Sequence, residues 1–280
     1  FSVLILTKNE EISLPKCLKS ISEVSEVIVY DSYSTDNTKK IIEEFGAKLI
    51  YRKNQDKSRP FGGDESYHRN WIFENFNFKN EWVLILDADE TPSLSLLETL
   101  NSIVENYDNN SKYSPRAFSI KRIDHLFGKP LRYVQATKNY IRFVKPKFVH
   151  YERLINCDLK VDGKVSSIKD CIFHYPFEKG FDNWIEKHNY YSSYEAKQIK
   201  LEFNILFLKA FYNLIRSKTK SEFKRNIKIL YYKLPLRPLI RFIYLFIFKL
   251  GFLDGYPGLI YAILQSFYEL QISLKSGSKP

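Results

Sequence analysis

The sequence predicts an α/β fold in which a mostly parallel sheet carries helices on both faces, followed by C-terminal amphipathic helices. Three observations predict it. Apolar β-type runs alternate with helix signals through the first hundred residues, the pattern of successive βαβ units. Three of those runs end in polar clusters, and an open parallel sheet binds its ligands beyond the carboxyl ends of its strands. Helical signals return at Phe181 and persist, and between Arg216 and Lys249 cations interleave with aromatic residues.

The first run, residues 2–6 (SVLIL), stops at Thr7-Lys8-Asn9-Glu10, and a helix opens near Ser13. The second, EVIVY at 26–30, ends in the polar loop DSYSTDNT, where Asp36 or Asn37 can cap a helix running to Phe45, with Gly46 as its natural stop. Residues 48–51 form a short third strand. A long polar loop with Pro60 and Gly62-Gly63 follows, and then a helix over 67–76. Residues 82–86 (WVLIL) have the length and apolar continuity of a strand buried on both faces. From about residue 113 the pattern changes to shorter pieces at 117–122, 140–144, 148–152 and 172–174, a mixed or antiparallel half, and helical signals return at Phe181.

Composition narrows the setting. A chain of 280 residues buries a proper core and suits one domain with an appendage. The three cysteines, Cys17, Cys157 and Cys171, are too few and too scattered for a disulfide framework or a zinc site, so a reducing, cytosolic setting is expected. No signal peptide is expected ahead of the strand-like opening. The net charge of +11 is local: residues 197–249 hold thirteen Lys/Arg against two Asp/Glu, which leaves the rest of the chain balanced.

The most informative stretch is EWVLILDADE, residues 81–90, an apolar run ending abruptly in acids. With a strand period of two, Asp87 and Asp89 point the same way and the small Ala88 points back into the protein. Two hard oxygen ligands at an open sheet edge suit Mg²⁺ or Mn²⁺ carrying a diphosphate. Two other readings stay open on the motif alone. The acids can cap a helix after Thr91-Pro92. LDADET also fits the hhhhDxDxT pattern of haloacid-dehalogenase-type phosphatases, with Asp87 as nucleophile, although no downstream DD or GD pair follows Thr91.

TKNEE after the first strand, DSxSTDxT after the second, the Arg69-Asn70 pair and WVLILDADE together resemble family 2 glycosyltransferases. The likeness continues through Ile141-Arg142-Phe143, His150-Tyr151-Glu152, Val161-Asp162-Gly163, His174-Tyr175 and Lys187-His188-Asn189-Tyr190, in the manner of lipopolysaccharide-core β-glucosyltransferases. The resemblance implies a GT-A fold and an inverting, single-displacement transferase. It would move a hexose such as glucose from a UDP-linked donor to a lipid-linked glycan acceptor. On that division, residues 1–200 form the catalytic domain, with a nucleotide-binding half at 1–105 and an acceptor half at 106–200, and residues 201–280 form a basic helical region.

The resemblance also assigns roles. Asp89 is the main ligand of Mg²⁺ or Mn²⁺, and Asp87 is a shared ribose or metal ligand. Thr7, Asn9 and Glu10 line the nucleoside pocket with Ser34, Asp36 and Asn70; Asp31 bonds the base, and Arg69 lies close to it. Loop 54–64 contributes to sugar discrimination. Glu152 is the expected base because it follows a strand-like run where the family carries an acid; its alternative is a structural pair with Arg142 or Arg153, and Asp124 is a reserve base. His150 and His174 could touch phosphate or acceptor, but a lone histidine is more often packed and hydrogen-bonded, so both read as structural. Two departures stand out: Tyr151 separates a His and a Glu that are more usually adjacent, and His68 stands where Gln often precedes Arg-Asn.

The basic tail fits nucleic acid or a membrane surface by charge alone. The run FIYLFIF, residues 242–248, decides for lipid, since such side chains belong in hydrocarbon or a core rather than against phosphates. As one helix, residues 239–253 would be about 22 Å long at ~1.5 Å per residue, against a hydrocarbon core of ~30 Å. It is too short to span and suits the interface, with Gly255, Pro257 and Gly258 turning the chain into a second apolar segment at 259–270. Peripheral attachment to an anionic membrane through residues 210–270, on the inner face of the cytoplasmic membrane, is the expectation, with no nucleic acid. A packed helical subdomain is the plainer alternative. A non-enzymatic binding module is the last reading, and three acid-bearing strand ends in one crevice argue against it.

Overall fold

The structure is a computed structural model that describes residues 1–52, 65–108, 114–135, 139–152, 158–202, 207–217 and 219–277. Loop 54–64 and Arg153, both named above, lie outside the described residues. The chain forms two compact units, Phe1–His125 with Thr137–Glu178, and Leu126–Ala136 with Lys179–Pro280.

The first unit opens as the sequence implies: β1 Ser2–Thr7, α1 Leu14–Ser20, β2 Glu26–Asp31, α2 Thr38–Glu44, β3 Lys48–Tyr51, α3 Glu65–Asn75 and β4 Val83–Asp87. After it come β5 Glu90–Pro92, α4 Leu94–Glu105 and β6 Ala117–Leu126. A two-residue strand, β7 Lys129–Pro130, lies in the short segment assigned to the second unit. The first unit then continues with β8 Asn139–Val144, β9 Val149–Glu152, β10 Asp158–Val161 and β11 Val165–His174.

The main sheet runs β3-β2-β1-β4-β8-β6-β11-β5. Its first four strands are parallel. Antiparallel β8 joins them to the parallel pair β6 and β11, and β5 closes the edge antiparallel to β11. This is the mostly parallel α/β architecture of GT-A type. The β-branched and aliphatic runs of β1, β2 and β4 are buried on both faces because their side chains alternate between two cores. Val3, Ile5, Val29, Leu84 and Leu86 meet α1, α2 and α4 through Leu14, Leu18, Ile42, Leu96 and Leu100. Leu4, Ile28, Val83 and Ile85 meet Ile72 of α3 on the other side. β9 and β10 form a separate hairpin.

One local expectation is corrected here. The acids after β4 do not cap a helix: residues 90–92 pair with β11 instead, and Ser93 caps α4 by accepting from the Leu96 amide.

The second unit holds α5 Gly180–Glu202, α6 Phe207–Ile215, α7 Lys220–Lys233, α8 Arg237–Ile243, a π-helical turn Tyr244–Phe248, a 3₁₀ turn Gly251–Asp254 and α9 Gly255–Ser276. Residues 239–253 are therefore three helical pieces rather than one helix, broken where Leu250 takes a left-handed backbone at φ 57°. Gly255, at φ 65° and ψ −142°, turns the chain from the 3₁₀ turn into α9, and Pro257 and Gly258 stand in the first turn of that helix, where a missing proline N–H costs nothing. Polar clamps hold the unit. The Asp254 carboxylate accepts from the backbone N–H groups of Arg132, Tyr133 and Val134 at 2.8–2.9 Å, and Lys275 Nζ donates to Asn189, Ser192 and Ser193. Among the described residues, no helix is long and apolar enough to cross a membrane.

Candidate active site

Register brings the three polar clusters together. Thr7 at the end of β1 lies opposite Asp31 of β2, and Leu6 lies opposite Asp87 of β4. Neighbouring strands are about 4.8 Å apart, so the first and second clusters and Asp87 share one edge of the sheet.

The first two clusters are stitched into a platform. Asp31, buried, accepts from the Thr7 hydroxyl at 2.9 Å, from the Ser34 amide at 2.8 Å and from the Ser34 hydroxyl. Ser34 Oγ accepts from the Asn9 amide, and Asn9 Oδ1 accepts from the Thr35 amide, both at 2.8 Å. Asn9 and Tyr33 hold left-handed backbones, at φ 54° and 60°, which a non-glycine residue adopts only when its surroundings enforce it. Asp36 accepts from the Glu11 amide and from both the amide and hydroxyl of Thr38. Burial pushes the Asp36 pKa up, but these hydrogen bonds outweigh it and hold the pKa below the usual carboxylate value. The Glu10 amide donates to Thr38 Oγ1.

The third cluster departs from a simple strand period. β4 ends at Asp87, residues 88–89 turn, and β5 runs back beside β11 in a register that places His174 opposite Glu90. The two aspartates therefore face different partners. Asp87 Oδ2 accepts from Arg142 Nη2 at 2.8 Å. The same nitrogen donates to Glu90 Oε1 at 2.8 Å, and Glu90 Oε2 accepts from the Asp87 amide at 3.0 Å. Burial opposes ionisation of Asp87, yet Arg142 and then Arg69 overcome it and hold its carboxyl well below the usual range. Glu90 is fully buried, and burial lifts it to about 7 despite Arg142. Arg142 thus pairs with Asp87 and Glu90, and no bond links it to Glu152.

Asp89 faces His174. Its Oδ2 is 3.4 Å from His174 Nε2, and His174 Nδ1 is 2.8 Å from Asp124 Oδ1. The parallel pairing of β6 with β11 sets that second contact by placing His174 opposite Asp124. Burial alone would lower the His174 pKa, but Asp89 and Asp124 push it up to about 10. Beneath the turn lies Cys17. Burial, then the carboxylates of Glu90, Asp89, Asp87 and Glu10, raise its thiol well above the usual value, so Glu10 shares the electrostatic neighbourhood of the DADE turn.

Asn70 and Glu152 stand elsewhere, and Asp124 is in the site but engaged. Asn70 clamps the backbone of Tyr151: its Oδ1 accepts from the Tyr151 amide at 2.7 Å and its Nδ2 donates to the Tyr151 carbonyl at 3.0 Å. Asp124 is committed to His174 and Arg122. Glu152 is exposed on β9, 3.2 Å from His150 Nε2. Alternation along β9 turns Tyr151, rather than Glu152, toward the protein, where it is buried. The pattern VHYE carried that signal, because its less polar members, Val149 and Tyr151, share a face. His174, which reads from sequence as a packed residue, joins the site through Asp89 and Asp124.

Among the described residues no three His, Cys, Asp or Glu side chains are grouped to hold a metal ion. Asp89 and His174 nevertheless fit one as a pair. Adjacent ligands of an octahedral ion at ~2.1 Å stand about 3.0 Å apart, close to the 3.4 Å found. A histidine ligand whose other ring nitrogen meets a carboxylate, as His174 meets Asp124, is the usual outer-shell arrangement. Mg²⁺ and Mn²⁺ commonly take only one or two protein carboxylates and complete their shell with water and substrate phosphates.

The sequence model of the family described as glycosyl transferase family 2 matches residues 2–151. The chain is 30% identical over 210 residues to an uncharacterized glycosyltransferase of Rickettsia typhi, covering 71% of this chain and 67% of that protein. It is 29% identical over 211 residues to one of Rickettsia felis, covering 71% and 69%. Among solved structures it is similar to S. aureus TarS 1-349, at 14% identity and a TM-score of 0.44, with 99% of this chain and 92% of that one covered. It is also similar to glucosyl-3-phosphoglycerate synthase from Mycobacterium tuberculosis in complex with Mn²⁺ and UDP-glucose, at 21% identity and a TM-score of 0.33, covering 44% and 43%.

Proposed function

The chain belongs to glycosyl transferase family 2 and is a glycosyltransferase, and from that premise we propose that it transfers a hexose from a UDP-linked donor to a lipid-linked glycan acceptor by a metal-dependent, inverting displacement. The observation that carries the proposal is the meeting of the Thr7–Asp31–Ser34 platform with the Asp89–His174 pair at one sheet edge. In this reading the platform receives the nucleoside, and Asp89 and His174 hold Mg²⁺ or Mn²⁺ while Asp124 fixes the imidazole. Once bound, the ion would neutralise charge growing on the diphosphate leaving group. Asp87, already bound to Arg142, serves better as a ribose acceptor than as a second metal ligand, because the guanidinium disfavours another cation at the same oxygen. No base is assigned in this reading: Glu152 turns away from the face that Tyr151 presents and pairs with His150, and Asp124 is committed to His174. The phosphatase reading of Asp87 gives way to the family match.

The acceptor proposal rests on the second unit. Leu239, Ile247, Phe248, Phe252, Leu253 and Tyr256 are exposed around the π-helical and 3₁₀ turns, Phe248 by 74%. Exposed aromatic and aliphatic side chains within a strongly cationic segment fit an anionic lipid surface, where each Lys/Arg contributes about 1 kcal/mol.

Hydrolysis of UDP-glucose, UDP-galactose and UDP-N-acetylglucosamine with and without Mn²⁺ tests the donor. Turnover with one of them that is lost on Asp89→Asn supports the reading, and unchanged turnover in that variant defeats the metal site. Sedimentation with phosphatidylglycerol vesicles tests the surface: Phe248→Asp/Phe252→Asp should abolish binding, and undiminished binding refutes that surface.

A further inference from the structure

The tyrosine that interrupts the His-Glu pair on β9 has no part in the reading so far, yet it faces the site. Tyr151 is buried while its neighbours His150 and Glu152 turn outward and bond each other. Asn70 grips its backbone at both the amide and the carbonyl, which fixes Tyr151 relative to α3. Its ring lies against the side of α3 that carries Arg69 and Phe73, one helical turn apart. It stacks on Phe73 at 6.1 Å between centroids with 7° between planes, and the Arg69 guanidinium lies over it at 5.2 Å. The Tyr151 hydroxyl also lies within the electrostatic reach of Arg69, Arg142 and Asp87. Arg69 in turn is one of the charges that hold Asp87 ionised. One phenol therefore ties the guanidinium of α3 to the acidic turn after β4.

We propose that Tyr151 is a positioning residue for the donor, its ring and hydroxyl holding the Arg69 guanidinium beside Asp87 so that it meets the diphosphate of the nucleotide sugar rather than the base, where the family resemblance had put it. The proposal rests on the donor reading above. An arginine side chain loses rotamer entropy on binding, and a planar guanidinium held in place beforehand loses less of it when it meets phosphate. The cation–π contact and the phenol dipole beside the guanidinium provide that restraint. The guanidinium keeps donors for the ligand, since it has five N–H groups. Burial raises the Tyr151 pKa, so the phenol stays neutral and does not serve as a base.

The test is calorimetric titration of UDP and of uridine, each with Mn²⁺, into wild-type protein and Tyr151→Phe, Arg69→Ala and the double variant. Tyr151→Phe keeps the ring and its stacking, so folding is preserved. Arg69→Ala, which leaves the tyrosine in place, reads the same contact from the other side. UDP affinity should fall about 5–10-fold in Tyr151→Phe while uridine affinity stays unchanged, and the double variant should bind UDP no more weakly than Arg69→Ala. With the productive donor, KM should rise and kcat should stay within about twofold. Equal loss for UDP and uridine would mean a merely structural role and overturns the proposal, as does unchanged UDP binding or additivity in the double variant. If the wild-type protein binds neither ligand, the donor reading fails, and this proposal falls with it.

Discussion

Replacing Arg142 with methionine should destabilise the first unit by about 3 kcal/mol. Its Nη2 is the shared donor to Asp87 and Glu90, each at 2.8 Å, and Glu90 is fully buried. Removing one partner from a buried charge cluster costs about 3–5 kcal/mol, because the remaining charge is left uncompensated. Two features keep the cost at the lower end. Arg122 Nη1 still lies 3.7 Å from Glu90, and the Asp87 amide still donates to it. Methionine fills most of the volume, so little is lost to a cavity. Urea unfolding measures the loss. With two units the whole chain is not expected to unfold in one step, so the experiment belongs in a Trp184→Phe background, where fluorescence reports on Trp71 and Trp82 of the first unit. Adding Glu90→Gln should restore at least half of the lost stability, since the buried carboxylate is then replaced by a neutral amide that can still accept from Asp87. A loss under about 1 kcal/mol in Arg142→Met, or no recovery in the double variant, would refute the reasoning.

Asp124→Asn should weaken Mn²⁺ affinity about 10–100-fold, the usual effect of removing a residue that orients a histidine ligand, as read by electron paramagnetic resonance titration; EDTA should remove turnover and Mn²⁺ restore it. Asp254→Ala leaves three backbone N–H groups without their acceptor and should cost the second unit about 2–4 kcal/mol, seen as an earlier Trp184 transition with the first-unit signal unmoved. The second unit should also weaken in acid. Burial, opposed in part by the Trp184 carbonyl, holds His188 down to about 4, below an unfolded value near 6.5. Between those values the unfolded chain binds the extra proton, so the contribution is full above pH 6.5 and is lost as pH falls toward 4. Discounted for partial exposure, it amounts to about 2 kcal/mol, and His188→Gln should flatten the pH dependence of the urea midpoint across that window.

Much of this site was legible in sequence wherever the information was local. SVLIL, EVIVY and WVLIL read as strands buried on both faces, and the structure has β1, β2 and β4 there because both sides of each run meet a core. The polar loops behind them could be placed at one edge from topology alone. The partner of Asp89 could not. It depends on the antiparallel register of a three-residue strand, Glu90–Pro92, with Ile172, Phe173 and His174 far along the chain, and ETP carries no strand signal of its own. A lone histidine also gives no sign of direction. The available hint was that His174 and Asp124 fall at or just past the ends of two strand-like pieces, 172–174 and 117–122. Asn70 illustrates the opposite failure: it sits beside a site residue in sequence, but its amide is used to hold β9 on α3.

The divided fate of the two aspartates follows from charge. The carboxylates of Asp87, Asp89, Glu90 and Asp124 face the guanidiniums of Arg69, Arg122 and Arg142 together with His174, whose raised pKa keeps it protonated. That arrangement is close to neutral. Exchanging the His174 proton for a divalent ion would add one positive charge, which a buried cluster resists unless an anion arrives with it. A nucleoside diphosphate supplies that anion. On this argument the ion and the donor bind as a pair, each improving the other's affinity, and reciprocity requires that Mn²⁺ tighten UDP by the same factor as UDP tightens Mn²⁺. Arg142 keeps Asp87 out of the exchange, and Asp124 holds the imidazole in position for it.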